Sequence, residues 1–141
     1  MVYMDTSAIV ALIVPEPDST TVARWYTETQ SGLVSAVWCV TEFASALGIK
    51  QRTGQLDAQQ AGQAWLSFER LVANDLELVP LDPAVFHRAA SMAIDAGTAL
   101  RAGDALHLAC AEQVKARELA TLDAVMARHA ERLQIKLTAL T

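Results

Sequence analysis

Val2-Tyr3-Met4-Asp5-Thr6-Ser7-Ala8-Ile9-Val10 runs from apolar residues into an acid, then two hydroxyls, then a second apolar run. It reads as a short buried strand that stops at Asp5 and hands over to a helix. The hydroxyls of Thr6 and Ser7 are suited to capping that helix, and Thr6 takes the role more readily. A carboxylate at the end of a buried strand stands at a sheet edge, where open α/β sheets keep their sites. Taken alone, Asp5 reads more simply as a helix cap. Its weight comes from what the rest of the chain places beside it.

Working outward, a helix over 7–14 is ended by Pro15 and Pro17, and Asp18-Ser19 opens a second one. After Gly32 the run 33–36 is a short strand. The helix expected over 38–52 carries Val40, Phe43, Ala44 and Leu47 on one stripe. Asp57 can cap a helix over 58–73, and a strand follows at 76–81. Asp82-Pro83 is a cap with proline at the first helical position, opening a helix to about 96. Helix 101–115, strand 119–122, helix 124–133 and a last strand at 135–137 complete the pattern. Strands alternate with helices throughout, without repeat or linker. This predicts an α/β fold of one domain over 1–141, a parallel sheet of four to five strands with helices on both faces. The helix pair between the second and third strands is expected to form a projecting clip.

In a parallel sheet every strand is left at the same edge. Asp5 follows the first strand, and Asp123 ends the fourth in Thr121-Leu122-Asp123. Glu42 lies early in the helix after the second strand. Asp104 lies early in the helix that leads back into the fourth. Topology alone therefore brings Asp5, Glu42, Asp104 and Asp123 to one edge, at the switch point if the first and fourth strands are neighbours. Helix amino ends gather there and favour anions. Carboxylates so grouped repel unless cations sit between them, and oxygen-only ligation suits Mg²⁺ or Mn²⁺. Such a site suits phosphoryl chemistry. Asp5 and Asp104 are the expected direct contacts, with Glu42 and Asp123 acting partly through water.

The 141 residues are 52% hydrophobic and 19% charged, a globular composition with a net charge of −5. A protein that grips nucleic acid by bulk charge is normally basic. Setting the four clustered acids aside leaves −5 + 4 = −1, so the acidic total does not exclude a nucleic-acid substrate. Cys39 and Cys110 lie in apolar stretches and are expected as buried thiols in a reducing cytoplasm. No zinc spacing, signal peptide or membrane span is read from the sequence.

With these residues in place, the sequence resembles the PIN-domain ribonucleases, and among them the VapC toxins of toxin–antitoxin pairs. Met-Asp-Thr-Ser-Ala at 4–8 is similar to the family's opening motif, and Thr-Glu-Phe-Ala at 41–44 to its acidic helix position. Leu-Arg-Ala-Gly-Asp-Ala-Leu-His-Leu-Ala at 100–109 is close to the third motif, and Ala-Thr-Leu-Asp at 120–123 to the fourth. The resemblance covers essentially the whole chain. It implies a three-layer α/β/α PIN-like domain and a metal-dependent endoribonuclease, commonly of tRNA or rRNA. It also implies a homodimer and a cognate antitoxin that blocks the site.

Other residues are read beside these. Ser7 and Thr121 can support the acids or simply cap and fill a strand. Arg101, one turn before Asp104, can bind phosphate, orient the acid, or form a plain surface ion pair. His107 is conceivable as a general base but reads more simply as a packed histidine. Trp25, Tyr26, Trp38 and Trp65 can stack bases, yet their spacing favours core or protein interface. The basic residues Arg24, Lys50, Arg52, Arg70 and Arg88 are scattered and draw no RNA path. Two rivals stand beside the nuclease: a non-catalytic PIN-like binding module, and a receiver-type phospho-acceptor domain. The second needs a paired acid near the first strand and a lysine beyond the last. Here Asp5 stands alone, and Lys136 falls within the strand.

Overall fold

A computed structural model describes residues 1–140. Five parallel strands form its sheet: β1 (Val2–Met4), β2 (Leu33–Ala36), β3 (Leu76–Val79), β4 (Glu118–Ala120) and β5 (Lys136–Leu137), in the order β3-β2-β1-β4-β5. Every connection is a crossover through helix, as parallel pairing requires. The chain builds outward from β1 on one side, then crosses back and places β4 on the other. Met4 pairs with Ala120, so the switch point lies between the ends of β1 and β4. The receiver-type order is 2-1-3-4-5, which this chain does not have.

Alternation along β1 assigns the two layers. Val2 and Met4 face a core built with α1 (Thr6–Ile13), α2 (Ser19–Glu28), α3 (Trp38–Arg52) and α4 (Ala58–Asn74). Tyr3 faces the opposite core, built with α5 (Pro83–Ala93), α6 (Ala102–Gln113) and α7 (Ala124–Arg132). The sheet is thus buried on both faces, the expected three-layer α/β/α arrangement. The clip is the α3–α4 pair. A stacked aromatic cluster ties its helices together, with Phe43 and Phe68 at 4.7 Å between centroids and Trp65 at 5.3 Å from Phe68. Phe68 and Leu71 also belong to the core against α1, so the pair is anchored at its base. Trp65 is therefore a packing residue, and Trp25 and Tyr26 lie half-buried against the same core.

Several ends differ from expectation. Asp57 does cap α4, in a capping box with Gln60, and Asp82-Pro83 does open α5. The latter helix stops at Ala93, and Asp95 caps a separate 3-10 turn over Ala96–Thr98. The fourth strand ends at Ala120 and not at 122, because residues 121–123 are taken up by side chains of the site. No helix among the described residues is long and apolar enough to cross a membrane. Cys39 and Cys110 are buried free thiols.

Candidate active site

Asp5 extends β1 by one rung: its backbone N–H donates to the Ala120 carbonyl at 3.2 Å. The residue is only 2% exposed. Its extended backbone makes it the N-cap of α1, with Oδ1 accepting the Ala8 N–H at 3.1 Å. The cap is therefore the acid itself and not Thr6, which already lies in the first helical turn and turns its hydroxyl elsewhere. Ser7 donates to the same Asp5 oxygen at 2.7 Å, and Thr121 donates to Oδ2 at 2.6 Å. Each hydroxyl also accepts: Ser7 from the Leu122 N–H at 2.9 Å, Thr121 from the Asp123 N–H at 3.0 Å. These bonds draw residues 121–123 out of the strand ladder and onto the first turn of α1. Asp123 in turn caps α7 through the Met126 N–H at 2.9 Å. Ser7 and Thr121 thus hold a buried carboxylate in place.

Burial pushes the Asp5 carboxyl above the usual carboxylate range, and the nearby His107 with the donors Thr121, Ser7 and Ala8 offset it only in part. A carboxylate offers about four acceptor directions, of which these donors fill three. No basic side chain pairs with it among the described residues. The carboxylate is fixed but under-compensated, a condition that a divalent cation relieves.

Glu42 reaches the site from the second turn of α3. Its Oε1 accepts the Thr6 hydroxyl at 2.7 Å and meets Nε2 of His107 in a close contact. Burial alone would raise the Glu42 carboxyl, but His107 and Thr6 together hold it below its usual range. The other oxygen, Oε2, lies against Gly103 in the first turn of α6, 3.0 Å from where a Cβ would stand. The indole N–H of Trp38 stands beside that spot without a hydrogen-bond partner.

Arg101 joins the remaining acids. Its Nε lies 3.3 Å from Asp104 Oδ2 and its guanidinium 3.9 Å from Asp123 Oδ2. The arginine side chain is 82% exposed and free to swing away. An exposed pair of this kind adds little stability.

The four acids therefore share one sheet edge but fall into three separately bonded groups: Asp5 with hydroxyls, Glu42 with Thr6 and His107, Asp104 and Asp123 with Arg101. Among the described residues, no three acid, histidine or cysteine side chains stand grouped closely enough to hold an ion as they lie. The donor set nonetheless fits Mg²⁺ or Mn²⁺. It is all oxygen, and Mg²⁺ usually keeps several waters while contacting only one or two carboxylates.

A PIN-domain family model matches residues 2–132, a span that holds all four acids. The chain belongs to the PIN-domain family. This PIN domain is 32% identical over 119 residues to Ribonuclease VapC47 of Mycobacterium tuberculosis (strain CDC 1551 / Oshkosh), covering 84% of this chain and 79% of that protein. Among solved structures it is similar to Mycobacterium tuberculosis VapC20, a Sarcin-Ricin loop cleaving toxin, with a TM-score of 0.74 and 14% identity over 92% of this chain and 95% of the other. FitAcB from Neisseria gonorrhoeae matches with a TM-score of 0.64 and 21% identity over 97% and 96%. VapBC2 from Rickettsia felis, bound to a DNA fragment from their promoter, matches with 0.66 and 14% over 98% of each chain. At these identities the structural likeness speaks for the fold.

Two residues bonded behind Glu42 carried little weight in the sequence. There Tyr3 reads only as part of the first strand, and His107 more simply as a packed histidine. His107 is indeed only 2% exposed, but both ring nitrogens are engaged, by Tyr3 and by Glu42 with Thr6. The signal was there: a titratable ring inside the buried run Ala105–Ala111 must find polar partners.

Proposed function

We propose that this PIN domain is the ribonuclease toxin of a VapBC-type pair, a Mg²⁺- or Mn²⁺-dependent endoribonuclease acting on tRNA or rRNA in the cytoplasm. The observation that carries the reading is the under-compensated, rigidly held Asp5 at the β1–β4 switch point, with Glu42, Asp104 and Asp123 on elements that begin at the same edge. Asp5 and Asp104 would hold the cation directly, with Glu42 and Asp123 as its outer carboxylates. When bound, the cation supplies a more acidic water and charge for the phosphoryl oxygens. The first turns of α1, α6 and α7 present amide ends that receive the phosphodiester. Arg101 exchanges its two acids for the phosphate. Ser7 and Thr121 keep Asp5 from turning.

The chain acts as a homodimer with an antitoxin partner. A hollow of about 410 Å³ opens beside Ser7, lined by Val10, Ala46, Ile49, Lys50 and Leu122, and offers a seat for antitoxin side chains next to the acids. The fold shared with VapC20, a toxin, supports the toxin half of such a pair.

The reading is tested with labelled tRNA and rRNA fragments. Cleavage should need Mg²⁺ or Mn²⁺, stop with a chelator, and leave 5′-phosphate and 3′-hydroxyl ends, because water and not the 2′-hydroxyl is the nucleophile. A 2′,3′-cyclic phosphate product would contradict the mechanism. Folded protein that binds RNA but never cleaves it with either metal would favour the binding-module reading.

Gly103→Ala gives a further expected result. A Cβ there would stand 3.0 Å from Glu42 Oε2 and 3.2 Å from Trp38 Nε1. Alanine is worth about 1 kcal/mol over glycine inside a helix, so the fold should hold while the carboxylate is displaced. We expect roughly tenfold slower cleavage, the scale of disturbing a supporting contact at a metal site, with a melting temperature within a few degrees of wild type. Full activity in this variant would show that Glu42 Oε2 has no fixed position to lose.

A further inference from the structure

Tyr3 and His107 lie behind Glu42, on the sheet face opposite α1. The Tyr3 side chain leaves β1 into the core with no exposed surface, and its ring meets the His107 ring edge-on, 5.7 Å between centroids. Its hydroxyl accepts the Ala36 N–H at 3.0 Å, at the end of β2. The same oxygen stands 2.7 Å from Nδ1 of His107. A phenol has one proton to give. With Ala36 donating in, that proton points to Nδ1, so Nδ1 is an acceptor and the imidazole hydrogen sits on Nε2. Nε2 faces Glu42 Oε1, which also receives the Thr6 hydroxyl at 2.7 Å.

We propose that Ala36 N–H, Tyr3 and His107 form a one-directional hydrogen-bond relay that locks His107 as the Nε2–H tautomer and thereby fixes the Glu42 carboxylate. Oε1 is turned inward and Oε2 is left toward the first turn of α6. Tyr3 and His107 are positioning residues: neither touches substrate, and both act through Glu42. The reverse tautomer would set a nitrogen lone pair against a carboxylate oxygen. The relay links β1, β2, α3 and α6, so its geometry is set by the rigid core and not by a loop. Its effect on cleavage rests on the ribonuclease reading, but the tautomer itself does not.

The test begins with ¹⁵N-histidine protein free of metal. His107, distinguished from His87 and His129 by substitution, should show the Nε2–H pattern at neutral pH. Tyr3→Phe should convert it to a tautomer mixture. A doubly protonated or Nδ1–H ring in the wild type overturns the relay. Mn²⁺ titration without RNA is the second readout. Tyr3→Phe and His107→Leu should each weaken binding by roughly tenfold, as outer contacts of metal ligands do. His107→Gln, whose amide can still donate to Oε1, should recover most of it. Wild-type affinity in both His107→Leu and Tyr3→Phe overturns the proposal. Where His107→Leu does not fold, Tyr3→Phe and His107→Gln decide. In cleavage, kcat should fall with KM for RNA unchanged. Because two readouts need no RNA, a wild-type chain that never cleaves RNA overturns the nuclease reading alone.

Discussion

Asp5→Asn is expected to lower RNA cleavage by on the order of 10²-fold or more, the scale seen when one preorganised charge-handling group is lost from a site, while the protein remains folded. The site explains both halves. Every oxygen of the Asp5 carboxylate is already held, by Ala8, Ser7 and Thr121, so the side chain has no alternative pose from which to serve. Asparagine is nearly isosteric. Its carbonyl can still accept from Ala8 and Ser7, and the Thr121 hydroxyl can turn to accept from the new amide. What is lost is the negative charge. In the metal-free protein that charge is unfavourable, since burial holds the carboxyl above its usual range. At neutral pH in chelator, the urea midpoint of Asp5→Asn should therefore equal or exceed that of wild type. A clear loss of stability would mean that the ionised carboxylate is a structural anchor. Unreduced cleavage would remove Asp5 from the metal site altogether.

Asp104→Asn should also abolish most cleavage, again by on the order of 10²-fold, but with the opposite sign on stability. Asp104 lies in the first turn of α6, where a negative charge favours the helix by about 0.3–1 kcal/mol. It also pairs with Arg101, a contact of small value because the arginine is so exposed. Its removal should cost no more than about 1 kcal/mol in urea denaturation, and Mn²⁺ binding should weaken. The two variants together separate chemistry from folding. Both lose cleavage, yet one gains or holds stability and the other gives up a little. If both lost stability in step with activity, global unfolding would explain the loss and the assignment of both acids would fail.

Much of this architecture was legible from periodicity and punctuation. Apolar runs between helical stripes required a parallel sheet, and the parallel sheet required Asp5, Glu42, Asp104 and Asp123 to share one edge, though not to group around one point. The caps Asp57 and Asp82 were readable because capping is local chemistry, complete within four residues. What the sequence hid is chemistry between distant residues. The bond from Thr121 to Asp5 spans 116 positions, and Tyr3 to His107 spans 104. Neither leaves a local trace. The error at the end of β4 has the same root, because Leu122 and Asp123 give their N–H groups to hydroxyls and not to a neighbouring strand. Thr6 was misread for a related reason. Two hydroxyls after an acid look like caps, but here the acid caps and Thr6 reaches Glu42, 36 residues away.

The lacing of Thr121 and Leu122 onto Asp5 and Ser7 also has a bearing on synthesis. The β1 strand is made first but stays open along one side until Glu118–Ala120 emerges to pair with it. Through all that time the acid has neither its clamp nor its neighbouring strand. A growing chain on the ribosome would therefore carry an incomplete site until Glu118–Ala120 has emerged to pair with β1.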